Sequence, residues 1–377
     1  MPFANEAGLI LPAMDKVPQM AHPILQKALM ILTFILHVIP MNLLLGGLVF
    51  VIILKTMDVF GYGRKDMVSR LYRDIIKPLP TALSLTITIG VAPLLFIQAL
   101  YGPLFYTTTI LMAPFWLFIL LVIIVNYYGL YLLSWTREKV LKPMRLPLLL
   151  LIFAGFIYAS FMFSSNNSFM QAPQKFYQTY QSTCYGIYIY AGDINLWNRY
   201  LHVLFGSVFV TSVLMYIMAY FKGKSDLEYS DYIISFTKPI FLSSFLAQAV
   251  LGFHMLYIQK APVYAALTGG NILYATIFWS GVVLAFIVAG FGHMKGQVLR
   301  SGVVQTAAGL CAFISLAGMA MARDFIRDAE IGASFSYLSN PYEWNYTVVG
   351  AFLLIFTAGL VTVFYMLTLQ EKRIEAK

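Results

Sequence analysis

Three of the five histidines in this chain fall inside long apolar stretches, and they are the residues best suited to chemistry. His37 lies in the first of these stretches, His202 in the fifth and His254 in the sixth. An imidazole removed from water needs a hydrogen-bonding partner or a metal ion to offset its lost hydration. These three side chains are therefore the first candidates for cofactor ligands.

His202 and His254 are predicted to lie at the same depth in the protein. The stretches that carry them, near 197–222 and 232–258, follow one another, and consecutive spanning helices run antiparallel. His202 lies about one turn after the start of its helix, and His254 about one turn before the end of the next. Both imidazoles can therefore reach one flat ligand between the helices. In apolar surroundings the ligand that best fits two imidazoles is a b-type haem iron.

A simpler interpretation exists for each histidine taken alone. A buried imidazole in a helix bundle can donate to a neighbouring carbonyl or hydroxyl without any cofactor. Three histidines at similar depth on three helices favour the cofactor, with His37 as ligand of a second haem. His22, just before the first stretch, is open to three interpretations: a surface residue, a base that accepts a substrate proton, or a further ligand. His293, at the opposite end of the seventh stretch, is typical of an interfacial anchor.

The cysteines and the acidic residues argue against other kinds of site. Cys184 and Cys311 are the two cysteines, and the chain contains neither a CxxCH sequence for covalent haem nor a CxxC metal pattern. Any haem would thus be held non-covalently. The 16 acidic residues all fall in predicted loops or at helix ends. Ion-coupled transporters generally place carboxylates within the membrane, so this distribution argues against coupled transport.

Composition predicts an all-α integral membrane protein. The 377 residues are 60% hydrophobic and 11% charged, with a mean hydropathy of +0.77, whereas about a quarter of the residues in a soluble domain are charged. A helix needs about 20 apolar residues to cross the hydrocarbon layer. Nine stretches satisfy this length and predict a bundle of nine transmembrane helices; they lie near 28–56, 80–102, 109–135, 145–165, 197–222, 232–258, 270–294, 299–323 and 344–369.

Basic residues predict the orientation of these helices. Lysine and arginine concentrate after helices 1, 3, 5 and 7 and at the C-terminus, with Arg64, Arg137, Lys222 and Lys372 as examples. The positive-inside rule then places the N-terminus outside and the C-terminus in the cytoplasm, in the cytoplasmic (inner) membrane. The net charge of +9 is explained by this topology, so it does not indicate a nucleic-acid partner.

We expect a single membrane domain over residues 1–377. Its predicted parts are an outer N-terminal segment at 1–24, helices 1–4 within 28–165, an outer loop at 166–196, helices 5–9 within 197–369 and a cytoplasmic tail at 370–377. The segment 62–78 is predicted to be an amphipathic stretch on the cytoplasmic surface. The outer segment 324–343 carries several charged residues, namely Asp324, Arg327, Asp328 and Glu330.

Several short strings, together with the nine spans, resemble subunit I of the cytochrome bd quinol oxidases. The resemblance covers most of residues 22–222 and is topological beyond them. It implies that His37 and His202 match the histidines near the starts of helices 1 and 5, which bind haem in that family. The matching strings are Leu25-Gln26, His37-Val38-Ile39-Pro40, Leu45-Gly46, Ala113-Pro114, Gly129-Leu130, Ser134-Trp135, Met170-Gln171-Ala172-Pro173 and Arg199-Tyr200-Leu201-His202.

The chain departs from the family where the family reduces oxygen. Helix 3 of the oxidases carries glutamates, whereas Ala113–Trp135 contains no carboxylate and places Asn126 near one of those positions. The glutamate ligand of a late helix has at best Asp324 nearby. The resemblance therefore implies haem b binding, without the centre that reduces oxygen.

Two further departures concern quinol and the low-spin haem. The long outer loop that binds quinol in the family is reduced to Gln259–Gly270. The methionine of helix 7 that completes the low-spin haem has no clear match around Phe278-Trp279-Ser280, and His254 is an additional histidine that can replace it opposite His202.

Together, the histidines and the resemblance predict a haem b-containing electron-transfer subunit with one, two or more haems. The position of the histidines toward the outer face predicts that it oxidises quinol or menaquinol there, with His22 as the candidate proton acceptor, and passes electrons to a c-type cytochrome, such as a multihaem one, on the outer side. We expect it to act within a larger membrane complex that oxidises quinol. Two alternatives remain open: a true quinol:oxygen oxidoreductase subunit, and a haem-free transporter or membrane anchor subunit.

Overall fold

The structure is a computed structural model that describes residues 3–4, 10–11, 18–136, 140–183, 185–332 and 334–375. Its architecture is helical, with one short antiparallel pair of strands, Phe3–Ala4 (β1) and Ile10–Leu11 (β2). The helices are α1 (Pro23–Phe60), α2 (Lys65–Ile76), α3 (Leu79–Leu111), α4 (Ala113–Trp135), α5 (Arg145–Met170), α6 (Phe176–Ser182), α7 (Ile194–Gly223), α8 (Leu227–Tyr257), α9 (Ala261–Ala265), α10 (Ile272–Gly292), α11 (Gly296–Leu299), α12 (Gly302–Ile331) and α13 (Tyr346–Glu375). Single turns of 3₁₀-helix cover Pro173–Lys175 and Tyr337–Ser339, and a π-helical turn covers Ala266–Gly270.

Nine helical segments within the described residues are long and apolar enough to cross a membrane, which confirms the predicted fold class. In most of them the apolar side chains largely face outward, as expected for helices surrounded by lipid, whereas 61% of the most apolar window of α1 is buried. The helix α13 is the extreme case, because none of its most apolar window is buried. It approaches the bundle through an edge-to-face contact between Phe352 and Phe96 of α3, with ring centroids 5.5 Å apart.

Small residues let α1 and α7 pack closely at the centre of the bundle. A Cβ atom added to Gly46 of α1 would collide with the Ser207 carbonyl and the Thr211 side chain of α7. The Thr211 hydroxyl in turn donates to the Asn42 carbonyl of α1 at 2.9 Å. Such close approach of two helices at a small residue is typical of membrane proteins, in which helix association depends on close packing. Gly46 therefore serves helix packing.

Two helices run further toward the predicted outer side than the apolar stretches indicated. The helix α12 ends at Ile331, so the charged residues predicted for an outer segment lie on its last turns. The helix α3 runs to Leu111 through a kink at Tyr101, whose φ and ψ are −123° and 28°. Pro103 and Gly102 favour a loop there, but the chain resumes its helix, and Met112 alone separates it from α4.

The amphipathic segment predicted at 62–78 is present as α2. Its buried side chains, among them Met67, Leu71 and Ile75, recur at helical spacing and pack against the main apolar core. Its charged side chains reach neighbouring elements, as in the ion pair between Arg70 and Asp226 at 2.5 Å. The segment therefore closes one end of the bundle.

Candidate haem site

His202 is held by a hydrogen bond to the backbone of the neighbouring helix. Its Nδ1 lies 3.0 Å from the Gln248 carbonyl of α8. Since a carbonyl oxygen only accepts, Nδ1 carries the proton and Nε2 keeps its lone pair. No other described residue is hydrogen-bonded to Nε2. Metal-binding histidines show the same arrangement, in which the second nitrogen is oriented by a carbonyl.

His202 lines a cleft between four helices. The cleft is bounded by α7, α8, α10 and α12, and its volume of about 870 Å³ includes space that is open to the surroundings. Its lining is otherwise largely apolar and aromatic: Phe209, Val210, Phe245, Gln248, Ala249, Gly252, Phe253, Met255, Phe278, Val282, Ala285, Phe286, Val288, Ala312, Ser315, Leu316 and Met319. A large apolar space with few polar groups is typical of a cofactor site.

Glycines set the distance between the two helices that meet at this histidine. A Cβ atom on Gly252 of α8 would lie 3.2 Å from Cε1 of the His202 ring. A Cβ atom on Gly206 of α7 would lie 2.9 Å from the Gln248 side chain. Both glycines thus permit the close approach of α7 and α8, and Gly252 also leaves the imidazole room to face the cleft.

His254 lies in different surroundings from His202. Its Nδ1 is 3.1 Å from Oδ1 of Asn198, which is one turn before His202 on α7. The His254 side chain is exposed at the bundle surface and is not part of the cleft lining. Its Nε2 has no hydrogen-bond partner among the described residues. The structure therefore places His254 next to the helix of His202 but one turn from its imidazole.

Two methionines supply the sulfur atoms of the cleft. Met319 lies on α12, and its methyl group would contact a Cβ atom on Gly281 of α10 at 2.7 Å. Met255 lies two residues before the end of α8. At a rise of about 1.5 Å per residue, Met255 is near the end of the bundle, whereas Met319 and His202 lie at least about 12 Å inside their helices. Met319 thus matches His202 in depth better than Met255 does, a feature that the sequence pattern did not indicate.

His37 shares its hydrogen-bond pattern with His202 but packs more tightly. Its Nδ1 lies 2.9 Å from the Thr86 carbonyl of α3, and Nε2 is free of hydrogen-bond partners in the described part of the chain. A Cβ atom on Gly90 would lie 2.6 Å from two atoms of the ring. One side of this imidazole is therefore pressed against the backbone of α3.

His22 forms the N-cap of α1. Its Nδ1 accepts a hydrogen bond from the Ile24 N–H at 3.2 Å, and its ring meets the edge of Tyr342 at a centroid distance of 4.7 Å. A neutral imidazole that accepts at Nδ1 carries its proton on Nε2. His22 must therefore release this cap before it can take up a second proton. His293, the fifth histidine, is exposed at the C-cap of α10.

Asp324 is engaged in a buried ion network instead of facing a cavity. Its carboxylate pairs with Lys27 of α1 at 2.5 Å and with Arg327. Asp328 pairs with the same lysine at 2.6 Å and accepts from the Tyr101 hydroxyl at 2.5 Å. Asp324, which the resemblance places nearest to a late-helix glutamate of the oxidases, is thus paired with two cations.

Asn126, which the resemblance places near a helix 3 glutamate of the oxidases, also has a structural role. Its Nδ2 donates to the Ile152 carbonyl of α5 at 3.0 Å. A Cβ atom on Gly155 would lie 2.5 Å from the same nitrogen. The amide therefore fits a tight contact between α4 and α5.

The donor set fits a haem better than a bare metal ion. Among the described residues, no three His, Cys, Asp or Glu side chains come together, whereas a bare transition metal usually takes three or four protein ligands. A porphyrin supplies four nitrogen ligands itself, so the protein needs to provide only one or two further ligands. One oriented imidazole on a roomy apolar cleft meets that requirement.

The chain has the fold of the cytochrome bd oxidases. A bd oxidase chain from Geobacillus thermodenitrificans matches it with a TM-score of 0.75, over 94% of this chain and 98% of that one, at 12% sequence identity. No protein-family model matches this chain, and no curated protein matches it. This similarity confirms the predicted resemblance for the fold alone. At 12% identity, the roles of individual residues cannot be transferred from that chain to this one.

Proposed function

We propose that this chain is a bd-like membrane cytochrome b subunit that takes part in quinol oxidation. The observation that carries the proposal is the imidazole of His202, whose Nδ1 is fixed by the Gln248 carbonyl and whose side chain lines the apolar cleft. The bd oxidase fold supports the same conclusion. When bound there, haem b supplies one-electron transfer, and the protein sets its ligation and dielectric surroundings.

Two residues are candidates for the second ligand that would hold the haem together with His202. His254 is the ligand that the sequence predicts, and it would have to leave Asn198 to face the cleft. Met319 already lines the cleft. A histidine–methionine pair gives a higher reduction potential than a pair of histidines. The variants His254→Ala and Met319→Leu distinguish the two, because only loss of the true ligand converts the low-spin spectrum to a high-spin one.

A second haem on His37 belongs to the same proposal. The Thr86 carbonyl fixes its tautomer as Gln248 fixes that of His202, so Nε2 is free to bind iron. The close contact with Gly90 restricts the side from which a macrocycle can approach. The ratio of haem to protein distinguishes an arrangement with one haem from one with two.

Quinol or menaquinol is the proposed substrate, oxidised near the predicted outer face. Each quinol that is oxidised to quinone releases two electrons and two protons. His22 lies at that end of α1 and is the proposed proton acceptor; accepting a proton at Nδ1 breaks its bond to the Ile24 N–H. The electrons leave to a c-type cytochrome on the outer side, within a larger complex of the cytoplasmic membrane.

The first experiment is a dithionite-reduced minus oxidised absorbance spectrum of the purified protein, with haem quantified as the pyridine haemochrome. We expect a b-type band without the red band of a chlorin. A chlorin band with quinol-dependent oxygen uptake would support a true quinol:oxygen oxidoreductase. Protein purified without haem would refute the proposal and favour an anchor subunit or a transporter.

A further inference from the structure

Two lysines lie beside the C-terminal end of α10. Lys238 belongs to the apolar helix α8, and its ammonium group donates to the His293 carbonyl, at the C-cap of α10, over 3.5 Å. Lys295 follows two residues later as the N-cap of α11, so its backbone lies within about 7 Å of His293. The imidazole of His293 is itself exposed. Three basic side chains therefore come together where α8 meets the end of α10.

The length of α10 places this cluster at the edge of the hydrocarbon layer. The helix has 21 residues, and none of the side chains from Ile272 to Gly292 is charged. Its length of about 31 Å matches the hydrocarbon thickness of about 30 Å, so its two ends lie near the two boundaries of that layer. The Gly292 end is the one that the positive-inside rule assigns to the cytoplasm. The cluster is therefore at the depth of the phospholipid head groups on that side.

A close contact holds the end of α10 against α8 at this point. A Cβ atom on Gly292 would overlap the ring of Phe241. Phe241 is buried and follows Lys238 on α8 by less than one helical turn. The position of Lys238 beside α10 thus depends on packing between the two helices as well as on its own hydrogen bond. The cluster is preformed.

The cluster has positive charge that no carboxylate pairs with. Among the residues that the structure describes, neither Lys238 nor Lys295 forms an ion pair. Asp231 lies about two turns before Lys238 on α8, and its carboxylate would be 3.5 Å from a Cβ atom on Gly296. However, Asp231 already pairs with Arg300. The two lysines therefore leave an excess of two positive charges.

Lys238 also keeps donors free for a ligand. An ammonium group has three N–H donors, and the bond to the His293 carbonyl uses one of them. The Lys238 side chain is half-buried. A lysine at such a depth lays its aliphatic stem along the helix and extends its charge toward the head groups. Capping α10 accounts for Lys238 alone, whereas Lys295 has no such contact.

An exposed apolar stripe of α10 leads to the cluster from the lipid side. Val283, Phe286 and Ile287 are exposed at the bundle surface. His293 follows Phe286 by seven residues, which is two helical turns, so both lie on the same face of the chain. A molecule whose charged group is bound by the lysines can therefore lay its hydrocarbon chains along this stripe.

We propose that Lys238 and Lys295, together with the His293 imidazole, bind the phosphate of an anionic phospholipid. Basic clusters between spanning helices on the cytoplasmic side are typical binding sites for such head groups. The apolar stripe favours a lipid over free phosphate, which has no hydrocarbon chain to place there. The inference involves neither haem nor quinol, so it stands or fails independently of the proposed function.

The test measures the binding of dioleoylphosphatidylglycerol to the delipidated, detergent-solubilised full chain by native mass spectrometry. Zwitterionic dioleoylphosphatidylcholine is the comparison lipid. The variants are Lys238→Gln, Lys295→Gln and the charge-preserving Lys238→Arg. Lys142→Gln is the matched control, because it removes one positive charge from an exposed residue on the same predicted side, in the connection between α4 and α5.

We expect Lys238→Gln and Lys295→Gln each to weaken phosphatidylglycerol binding about fivefold, the equivalent of the ~1 kcal/mol that one basic residue contributes near anionic lipid. Lys238→Arg and Lys142→Gln should bind this lipid as the wild-type protein does, and phosphatidylcholine should bind more weakly. Lys295→Gln keeps the test informative even if Lys238→Gln disturbs the fold, since Lys295 is exposed and its side chain makes no cap bond.

The proposal is overturned if both glutamine variants bind phosphatidylglycerol with wild-type affinity. It is equally overturned if Lys142→Gln weakens binding as much, because attraction to the general charge of that side would then be sufficient. Displacement of the lipid by inorganic phosphate, but not by chloride at the same ionic strength, would identify a free anion as the occupant and refute the lipid.

Discussion

His37 and His202 lie in two regions that share a hydrogen-bond pattern and differ in the space around it. Each imidazole donates from Nδ1 to a carbonyl of the adjacent helix, at 2.9 Å to Thr86 and at 3.0 Å to Gln248. Each also faces a glycine on that helix. The glycine opposite His37 leaves less room, because its Cβ atom would lie 2.6 Å from the ring, against 3.2 Å at His202.

An oriented imidazole alone is therefore not sufficient to define a haem site. The carbonyl bond fixes the tautomer in both regions, and it serves equally well in a histidine that only joins two helices. His202 in addition lines a partly open cleft between four helices. Free space next to the free nitrogen is therefore the feature that ranks the two histidines as ligands.

Replacing the two histidines should give the largest effect and test the ranking directly. We expect His202→Ala to lose the low-spin haem b spectrum altogether, because the residue supplies an iron ligand. His37→Ala should keep that spectrum and lose only the second haem if one is present. The pyridine haemochrome of each purified variant measures both changes. A His202→Ala protein with wild-type haem content would contradict the assignment.

Ion pairs connect helices at both ends of the bundle, and they differ in burial. At one end, Lys27 of α1 reaches Asp324 and Asp328 of α12, and the side chains of the lysine and of Asp324 are 9% and 5% exposed. At the other end, Arg64 reaches Glu228 of α8, and their side chains are 54% and 67% exposed. Because the Lys27 pairs are buried, losing one of them should lower the free energy of unfolding far more than losing the exposed Arg64 pair.

Lys27→Met should destabilise the fold by about 3–5 kcal/mol, because it removes the cation shared by Asp324 and Asp328 and leaves only Arg327 beside them. The measurement is the unfolding midpoint in detergent at fixed lipid content. The double variant Lys27→Met/Asp328→Asn is the control: it removes one charge of each sign and should recover part of the loss. An unchanged midpoint in Lys27→Met would show that the network contributes little.

The two glycines allow a finer test of the space around each histidine. Gly90→Ala forces a methyl group against the His37 ring, and such overpacking typically costs about 1–3 kcal/mol. At Gly252 the gain in helix propensity of about 1 kcal/mol offsets a milder contact, so Gly252→Ala should change stability little. The unfolding midpoints of the two variants should therefore differ. Equal midpoints would mean that His37 has as much free space as His202.

The sequence predicted the nine spans and the histidines because both depend on local pattern. Runs of apolar residues mark the helices, and a histidine within such a run stands out without any alignment. The end of α12 was not predictable in this way. Asp324, Arg327 and Asp328 look like loop residues, and the partner that lets them continue the helix, Lys27, lies some three hundred positions away in the chain.

The directions in which side chains point could not be predicted from the sequence either. Spacing predicts that His254 lies at the same depth as His202, but it cannot show that His254 binds Asn198, one turn earlier on α7. Nor can it show that Met319 faces the cleft, since eighteen methionines are present and most are expected to pack or face lipid. These facts depend on the rotation of α7, α8 and α12 about their axes, which is settled by contacts between helices.

We expect the smallest effect from removing the exposed ion pair between Arg64 and Glu228. Arg64→Gln removes the ion pair with Glu228, and water can hydrate the carboxylate that remains, because both side chains are largely exposed. Such pairs contribute about 0–1 kcal/mol, and salt weakens them further. The unfolding midpoint should thus change little at low ionic strength and not at all in high salt. A loss as large as that in Lys27→Met would mean that the Arg64 ion pair stabilises the fold as strongly as the buried network does.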